Sequence, residues 1–260
     1  MGKFDGILLA TDWDGTIYYN SEVSEENKQA IEYFCDNGGL FTVCSGRYFK
    51  FLKGFKDAVK INTYVICYNG AFIIDLDTEE ILYQGFCDEY LFSILGRLSE
   101  ANVNYQTINF YDPLHEEPTQ YTKDSYKDIE QSIKDKQFYK VLFRFETPED
   151  ALFALDITKK IDMKSYIAVR SWDRSLELLM LKNSKGVALR RVMEKTGSKL
   201  LVAVGDYEND IEMLKHADIG YAVGNATDSL KAMADRITVH ASESAIARVI
   251  YDLDKELEKD

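Results

Sequence analysis

The chain has 260 residues and a net charge of −13, and its length permits one large domain or two smaller ones with a buried core. The acidic balance argues against nucleic-acid binding, because nucleic acids attract basic surfaces, but a bound cation can still make one cleft suitable for a phosphorylated small molecule. No apolar run approaches the roughly 20 residues of a membrane-spanning helix, and no signal-peptide hydrophobic region opens the chain, so we expect a cytoplasmic protein without a membrane partner.

The first predicted element is a buried strand over the apolar residues 7–10. Asp12 and Asp14 follow it and therefore lie just past a strand end, where open α/β sheets bind ligands. Two carboxylates this close repel each other unless a hard divalent cation such as Mg²⁺ neutralises them. A turn with a helix cap is the alternative interpretation of this stretch.

The next elements alternate between helix and strand. Ser24 followed by two acids predicts a helix start, and Gly38 predicts its end. Apolar segments at 40–44 and 64–67 then predict two strands, and this rhythm indicates a parallel sheet. The carboxyl ends of parallel strands share one edge, so we expect their polar ends to lie on the edge that bears Asp12. These polar ends are Ser45, Gly46 and Arg47 after the second strand and Asn69 and Gly70 after the third.

After the third strand the parallel rhythm stops. Segments 72–74 and 81–83 flank a turn-rich stretch and predict a hairpin. A helix is expected over 88–101, and Thr147-Pro148 followed by two acids predicts the start of another. The section therefore has an α+β character of its own. Its further strands are expected near 103–110, 138–145, 165–170 and 176–181.

The parallel pattern resumes with a helix expected from Lys185 to about residue 196. A fully apolar segment, 200–204, then predicts a buried strand that ends at Asp206 and Asp210. The remaining predicted elements are short strands near 220–223 and 236–239 and a last helix from about 243.

This change of pattern predicts two domains in an α/β fold. Residues 1–76 and 183–260 are expected to form a Rossmann-type core with a parallel sheet, and residues 77–182 an inserted α+β domain. The cysteines form no Cys-x-x-Cys pair and are interpreted as reduced, mostly buried core residues, and the histidines show no metal-ligand spacing. The residues concerned are Cys35, Cys44, Cys67, Cys87, His115, His216 and His240.

Polar segments thus stand at the predicted strand ends and at the start of one helix. They are Asp12-Trp13-Asp14-Gly15-Thr16, Ser45-Gly46-Arg47, Asn69-Gly70-Ala71, Ser184-Lys185-Gly186-Val187-Ala188-Leu189, Gly205-Asp206 through Asn209-Asp210, and Gly224-Asn225-Ala226. Their order and spacing resemble the motifs of the haloacid dehalogenase superfamily of phosphohydrolases, and within it the Cof-type sugar-phosphatase-like branch. The inserted section corresponds to the α/β cap of that branch. Two positions depart from the branch's commoner pattern: Trp13 replaces a smaller aliphatic residue, and Ser45 replaces Thr.

The resemblance implies a Mg²⁺-dependent phosphatase that hydrolyses small phosphorylated metabolites, sugar phosphates foremost, through an aspartyl-phosphate intermediate. Asp12 would be the nucleophile. Asp14 would protonate the leaving alcohol and then deprotonate the attacking water. The Mg²⁺ ion would be bound by the Asp12 carboxylate, the Asp14 backbone carbonyl and Asp206.

The resemblance also implies groups that bind the phosphoryl oxygens. Such groups are hydroxyl, ammonium and amide donors that match an anion. They would be Ser45, Lys185, Asn209 and the backbone N–H groups near Trp13 and Gly46.

Three further residues would support or contact the substrate. Asp210 would orient the residues that touch metal and phosphate, and Arg47 and Asn69 are candidate substrate contacts. Other interpretations stay open when the residues are considered alone. Arg47 could pair only with surface acids, Asn69 could belong to a simple turn, and Lys185 could be a solvated lysine at a helix start.

Two other functions remain compatible with the sequence. Phosphomannomutases share this core and a related cap, so a phosphomutase is one alternative. The other is a non-enzymatic metabolite-sensing protein on the same core, although retention of Asp12, Asp14, Lys185 and Asp206 counts against it. The inserted section shows no readable specificity motif, and its Arg144, Arg170, Trp172 and Arg174 are interpreted as ordinary strand or loop residues.

Overall fold

The computed structural model describes residues 2–48, 51–113, 115, 117–122, 129, 133 and 136–258. Its strands, in chain order, are β1 (Ile7–Thr11), β2 (Tyr18–Tyr19), β3 (Glu22–Val23), β4 (Leu40–Val43), β5 (Val65–Cys67), β6 (Phe72–Ile74), β7 (Ile81–Gln84), β8 (Thr107–Tyr111), β9 (Thr119–Thr122), β10 (Lys140–Arg144), β11 (Tyr166–Val169), β12 (Ser175–Met180), β13 (Leu200–Gly205), β14 (Ile219–Ala222) and β15 (Arg236–Ile237). Its α-helices are α1 (Glu25–Asp36), α2 (Leu52–Ala58), α3 (Tyr90–Glu100), α4 (Pro148–Lys160), α5 (Lys185–Thr196), α6 (Ile211–His216), α7 (Asp228–Lys231) and α8 (Ala245–Leu257). The chain forms two compact units, one of Met1–Tyr83 with Ser184–Asp260 and one of Gln84–Asn183.

The first unit is built on a parallel sheet in the strand order β15-β14-β13-β1-β4. The inner strand β1, between β13 and β4, is fully buried, which explains its continuous apolar sequence. Thr11, its last residue, lies beside Val43 of β4 and Val204 of β13. The residues that follow these three strands are therefore brought to one edge of the sheet. The predicted α/β fold with a parallel core is confirmed.

The third predicted strand, β5, does not join the main parallel sheet as the sequence predicted. An isolated parallel bridge between Cys44 and Ile66 joins β5 to the residue that follows β4, and the Ser45 N–H donates to the Ile66 carbonyl at 2.9 Å. The regular strand pairing of β5 lies in its own sheet, in the order β5-β6-β7. The chain reverses at Asn69, with a φ of 59°, and at Gly70, with a φ of 115°. Because of this tight reversal β6 returns antiparallel along β5 and stays with the first unit.

The second unit is an antiparallel sheet in the order β11-β12-β10-β8-β9. One face of the sheet contributes to a hydrophobic cluster with α3 and α4 that includes Phe110, Phe143 and Leu178. The alternate positions on β10 and β12 carry Lys140 and Glu177, a buried ion pair. β9 was not predicted from the sequence, because its residues are mostly polar and lie at the sheet edge.

The boundary between the units differs from the sequence prediction. The first unit extends to Tyr83 rather than to residue 76, since β7 belongs to the sheet of β5 and β6. The second unit ends at Asn183, one residue later than predicted. Its role as a cap stays a prediction. Within the described residues, no helix combines the length and apolar character needed to cross a bilayer.

Candidate active site

The strand ends of the parallel sheet position the first candidate residue. The Asp12 N–H donates to the carbonyl of Val204 at 2.9 Å, and the Cys44 N–H donates to the carbonyl of Thr11 at 2.8 Å. These two bonds extend the parallel pairing of β1 with β13 and with β4 by one residue beyond the strand ends. Asp12 is therefore held between the end of β4, which leads to Ser45, and the end of β13, which leads to Asp206.

Lys185 joins Asp12 to Asp210. Its Nζ donates to Asp12 Oδ1 at 2.5 Å and to Asp210 Oδ1 at 2.7 Å. The Lys185 side chain is completely buried, which excludes the interpretation as a solvated lysine. Burial opposes the charge of this ammonium, but Asp12 and Asp210 outweigh it and raise the lysine pKa above its ordinary value.

The local sequence explains how Lys185 reaches this place. It is the first residue of α5, whose N-cap, Ser184, accepts a hydrogen bond from the Val187 N–H. Gly186 then allows close packing, because a Cβ atom there would lie 2.1 Å from the carbonyl oxygen of Glu212 in α6. A lysine at a helix N-terminus faces the positive end of the helix dipole. The position is thus unfavourable for a lysine unless nearby acids compensate, as Asp12 does here.

Asp206 is held against the loop that follows Asp12. Thr16 donates its hydroxyl proton to Asp206 Oδ1 at 2.9 Å. Gly15 has a φ of 77°, and a Cβ atom on it would lie 2.4 Å from Asp206 Oδ2. Only glycine fits both the backbone conformation and this close approach. The loop and the end of β13 are therefore locked together at this carboxylate.

Three carboxylates form a cluster that could hold a metal ion: one oxygen of each of Asp12, Asp206 and Asp210 lies within 4.8 Å of the others. Burial, and then repulsion from Asp210, raise the pKa of Asp206 to about 7. Burial also raises the pKa of Asp12 well above its usual value, although Lys185 opposes this. One ammonium among three acids leaves negative charge uncompensated, and a divalent cation with oxygen ligands would neutralise it.

The acids in this cluster have different roles in the geometry. Asp210 Oδ1 accepts from Lys185, and its Oδ2 accepts from the N–H groups of Asp206 and Tyr207 at 3.0 and 3.2 Å. Asp210 is thus already engaged in shaping the loop. Asp12 and Asp206 are the better candidates to touch a metal.

Asp14, the second acid of the first motif, lies outside this cluster and pairs with Arg47. Arg47 Nε donates to Asp14 Oδ2 at 2.8 Å, and Arg47 Nη2 donates to Asp14 Oδ1 at 2.5 Å. The acid that Arg47 contacts is thus a candidate catalytic residue. The Arg47 N–H also donates to the Ser45 hydroxyl oxygen at 3.1 Å, a bond that leaves the buried Ser45 hydroxyl its proton to donate.

The polar end of β5 meets the loop after β13. Asn209 Nδ2 donates to Asn69 Oδ1 at 3.2 Å, and both side chains are buried. The buried Asn209 Oδ1 has no hydrogen-bond partner among the residues that the structure describes. A Cβ atom on Gly46 would lie 2.9 Å from Asn69 Oδ1. The structure thus brings Asn69, Asn209 and Gly46 together, and their contact with substrate stays a prediction.

Asn225 has a structural role that was not predicted from the sequence, although it belongs to one of the polar segments at the strand ends. Asn225 Nδ2 donates to the Gly15 carbonyl at 2.8 Å, and its Oδ1 accepts from the Ala241 N–H at 2.9 Å. Asn225 therefore supports the loop that carries Asp12 and Asp14. Its position at the end of β14 was the available signal, because the ends of β1, β4 and β13 in the same sheet carry polar site residues.

The comparison with known proteins points to one family. A family model described as haloacid dehalogenase-like hydrolase matches residues 9–250. The 5-amino-6-(5-phospho-D-ribitylamino)uracil phosphatase YcsE of Bacillus subtilis (strain 168) is 27% identical over 248 residues, which cover 94% of each chain. The pyridoxal phosphate phosphatase YbhA of Escherichia coli (strain K12) is 23% identical and covers 94% of this chain and 97% of its own.

A solved structure shares the fold. The haloacid dehalogenase-like hydrolase from B. subtilis superposes with a TM-score of 0.78 at 24% identity, over 94% of this chain and 98% of its own. The names of the curated relatives agree with the predicted class, a phosphoric monoester hydrolase. Since the family model spans nearly the whole chain, the protein belongs to the haloacid dehalogenase-like hydrolase family.

Proposed function

We propose that this protein is a Mg²⁺-dependent phosphatase that acts on small phosphorylated metabolites through an aspartyl-phosphate, the acyl phosphate of Asp12. The observation that carries the proposal is the buried contact of Asp12 with the ammonium of Lys185. An anionic nucleophile beside a fixed cation is suited to receive a phosphoryl group, because the cation offsets the repulsion between carboxylate and phosphate.

The relatives support the proposed substrate class. One is named for a phosphorylated ribityl compound and the other for pyridoxal phosphate. Both substrates are small phosphate monoesters of a hydroxymethyl group. We favour a sugar or sugar-alcohol phosphate for this chain, in keeping with the first of these names.

The donor set fits a hard divalent cation. Asp12 and Asp206 would hold Mg²⁺ through their carboxylates, together with the backbone carbonyl of Asp14. When bound, the ion supplies charge neutralisation for the phosphate and the two acids. Thr16 and Asp210 fix the Asp206 segment in place for this role.

In the first step an Asp12 oxygen attacks phosphorus as the bond from phosphorus to the ester oxygen breaks. The electron pair of that bond stays on the leaving oxygen, which takes a proton from the Asp14 carboxyl. Lys185 and Ser45 would bind the phosphoryl oxygens during this transfer.

In the second step a water oxygen attacks the phosphorus of the phosphorylated Asp12. The water proton passes to the Asp14 carboxylate, and the bond from phosphorus to Asp12 breaks. Phosphate leaves, and both acids return to their starting states. The same group serves as acid and then as base, so each turnover restores its proton.

Phosphate release tests the proposal. Wild type and the variant Asp12→Asn are incubated with Mg²⁺ and a panel of sugar phosphates, nucleotides, flavin mononucleotide, pyridoxal phosphate and p-nitrophenyl phosphate. We expect phosphate release by the wild type alone. An isomerised sugar phosphate without phosphate release would indicate a phosphomutase instead. Activity of Asp12→Asn within about tenfold of wild type would contradict the mechanism, since enzymatic accelerations are typically 10⁶-fold or more.

We propose further that the second unit, Gln84–Asn183, sets substrate preference. The support is its separate fold and the polar positions on its sheet, such as Arg144, whose guanidinium lies 5.8 Å from the ring centre of Trp172. Arg144→Met is expected to change the ranking of panel substrates. An unchanged ranking in Arg144→Met and in further variants of this sheet would contradict the proposal.

A further inference from the structure

The pair of Arg47 and Asp14 has a geometry that a loose surface ion pair lacks. Both oxygens of the Asp14 carboxylate are engaged, one by Nε and one by Nη2 of the same guanidinium. Such two-point contacts fix the plane of a carboxylate as well as its distance. The Asp14 side chain is nevertheless 55% exposed, so burial alone does not hold it.

Arg47 is itself held in place. Its backbone N–H donates to Ser45 Oγ, and its carbonyl accepts from the Tyr68 N–H at 3.0 Å. The guanidinium carbon lies 4.7 Å from the ring centre of Phe51 and 5.9 Å from that of Tyr18. Arginine stacks well on aromatic faces, and these contacts restrict its side chain.

The aromatic support continues into the core through Trp13. Its ring stacks on Tyr18 with centroids 5.2 Å apart and an interplanar angle of 16°, and it packs on Phe55 at 4.2 Å. The Tyr18 N–H also donates to the Trp13 carbonyl at 2.9 Å. The large residue at position 13 thus supports Tyr18, one of the two rings beside Arg47.

We propose that Arg47 is a positioning residue that acts through Asp14 and does not bind the substrate phosphate. A carboxylate offers about four lone-pair sites, and Arg47 occupies only two of them. The others remain for proton exchange with the ester oxygen and with water. The inference rests on the proposed function, because it assigns to Arg47 the orientation of that reaction's acid and base.

The leaving group separates positioning from phosphate binding. An alkyl phosphate needs a proton on its departing oxygen, whereas p-nitrophenolate leaves readily without one. The ratio kcat/KM reports the steps up to the first release, so it isolates the proton donation of Asp14. A residue that binds phosphate would affect both substrates alike, since both carry the same phosphate.

The test compares Arg47→Met with wild type on p-nitrophenyl phosphate and on the best alkyl phosphate of the panel. We expect kcat/KM for the alkyl phosphate to fall about 10- to 100-fold, because general acid catalysis contributes 10²–10⁴-fold in total. For p-nitrophenyl phosphate the fall in kcat/KM should stay below about threefold, because its leaving group departs without general acid catalysis. Arg47→Lys should restore only part of the loss, since the single ammonium of lysine cannot reproduce the two-point contact of a guanidinium with both Asp14 carboxylate oxygens.

A mutant cycle completes the test. In the Asp14→Asn background, Arg47→Met should cause little further loss, because the group it positions is already disabled. Arg236→Met is the matched control, since Arg236 also contacts a carboxylate, Glu256, at 2.6 Å and a ring, Tyr221, at 5.6 Å. It should leave both substrates unchanged.

The outcomes distinguish this inference from the proposed function. A wild type that releases phosphate from no panel member would overturn the proposed function itself. An active wild type whose Arg47→Met variant loses both substrates equally, or loses activity additively with Asp14→Asn, would overturn only the positioning role. Equal losses with a raised KM would assign Arg47 to phosphate binding.

Discussion

Lys185 Nζ lies 2.5 Å from Asp12 Oδ1, although 173 positions separate the two residues along the chain. The contact joins the start of α5 to the end of β1. It also places a buried cation beside the proposed nucleophile. Without Lys185, the carboxylate of Asp12 would lack this neighbouring positive charge. The two segments that flank the second unit in sequence are therefore tied together at the candidate reaction centre.

Replacement of this lysine should damage both catalysis and folding. Lys185→Met should lower kcat/KM about 100-fold or more on every substrate, which is the usual loss for one transition-state donor. It should also reduce the free energy of unfolding by about 3–5 kcal/mol, because Asp12 and Asp210 would lose their buried counter-charge. Kinetics and urea unfolding measure the two effects. The exposed Lys199 provides the control Lys199→Met, and turnover by Lys185→Met near the control's would refute the role.

Metal removal should stop the reaction. Exhaustive chelation is expected to abolish phosphate release and added Mg²⁺ to restore it, whereas Ca²⁺ should restore it poorly because it tolerates looser geometry. Mg²⁺ should also raise the Tm of the wild type, since a ligand that binds only the folded state stabilises it. Asp206→Asn should lose this shift.

A surface acid gives the control for the metal experiment. Asp252→Asn removes a partner of Arg248 and should keep the full Mg²⁺-dependent rise in Tm. An equal rise in Asp206→Asn and in wild type would place the metal elsewhere. Full activity after chelation would contradict metal dependence.

Replacing only one residue of the buried pair Lys140 and Glu177 should destabilise the second unit. Their side chains are 3% and 2% exposed, so either one left alone is a buried charge without its main partner. Lys140→Met should therefore lower the free energy of opening of the second unit by about 3–5 kcal/mol. Native-state hydrogen exchange at β10 measures this locally.

The double variant Lys140→Met with Glu177→Leu is the matched comparison. Replacing both charges by apolar groups of similar volume is often neutral or stabilising, so exchange at β10 should return close to the wild-type rate. A double variant as unstable as Lys140→Met would show that the hydrogen bond of Glu177 with Ser171, rather than the charge pair, dominates.

Strong local patterns allowed much of the fold to be predicted. The helix expected from Lys185 to residue 196 has the bounds of α5, since a capping serine and a glycine at its end mark both limits. The strand expected at 200–204 is β13, because its continuous apolar run suits only a strand buried on both faces. The gathering of Asp12 and Asp206 follows from the same parallel pairing.

Contacts between distant side chains could not be predicted in this way. Arg47 meets Asp14 across 33 positions, and Asn225 meets the Gly15 carbonyl across 210. Both depend on the direction of a side chain in a loop, which no periodicity encodes. The antiparallel return of β6 along β5 likewise depends on the left-handed turn at Asn69.

If Asp12 carries the phosphoryl group during turnover, a rapid acid quench should trap the group on this residue. Wild type is mixed with Mg²⁺ and its best panel substrate bearing a radiolabelled phosphate, quenched within one turnover, and digested for peptide mapping. We expect label on the peptide that contains Asp12, and no label on the Asp12→Asn chain. Phosphate release without any labelled peptide, or label on another residue, would contradict it.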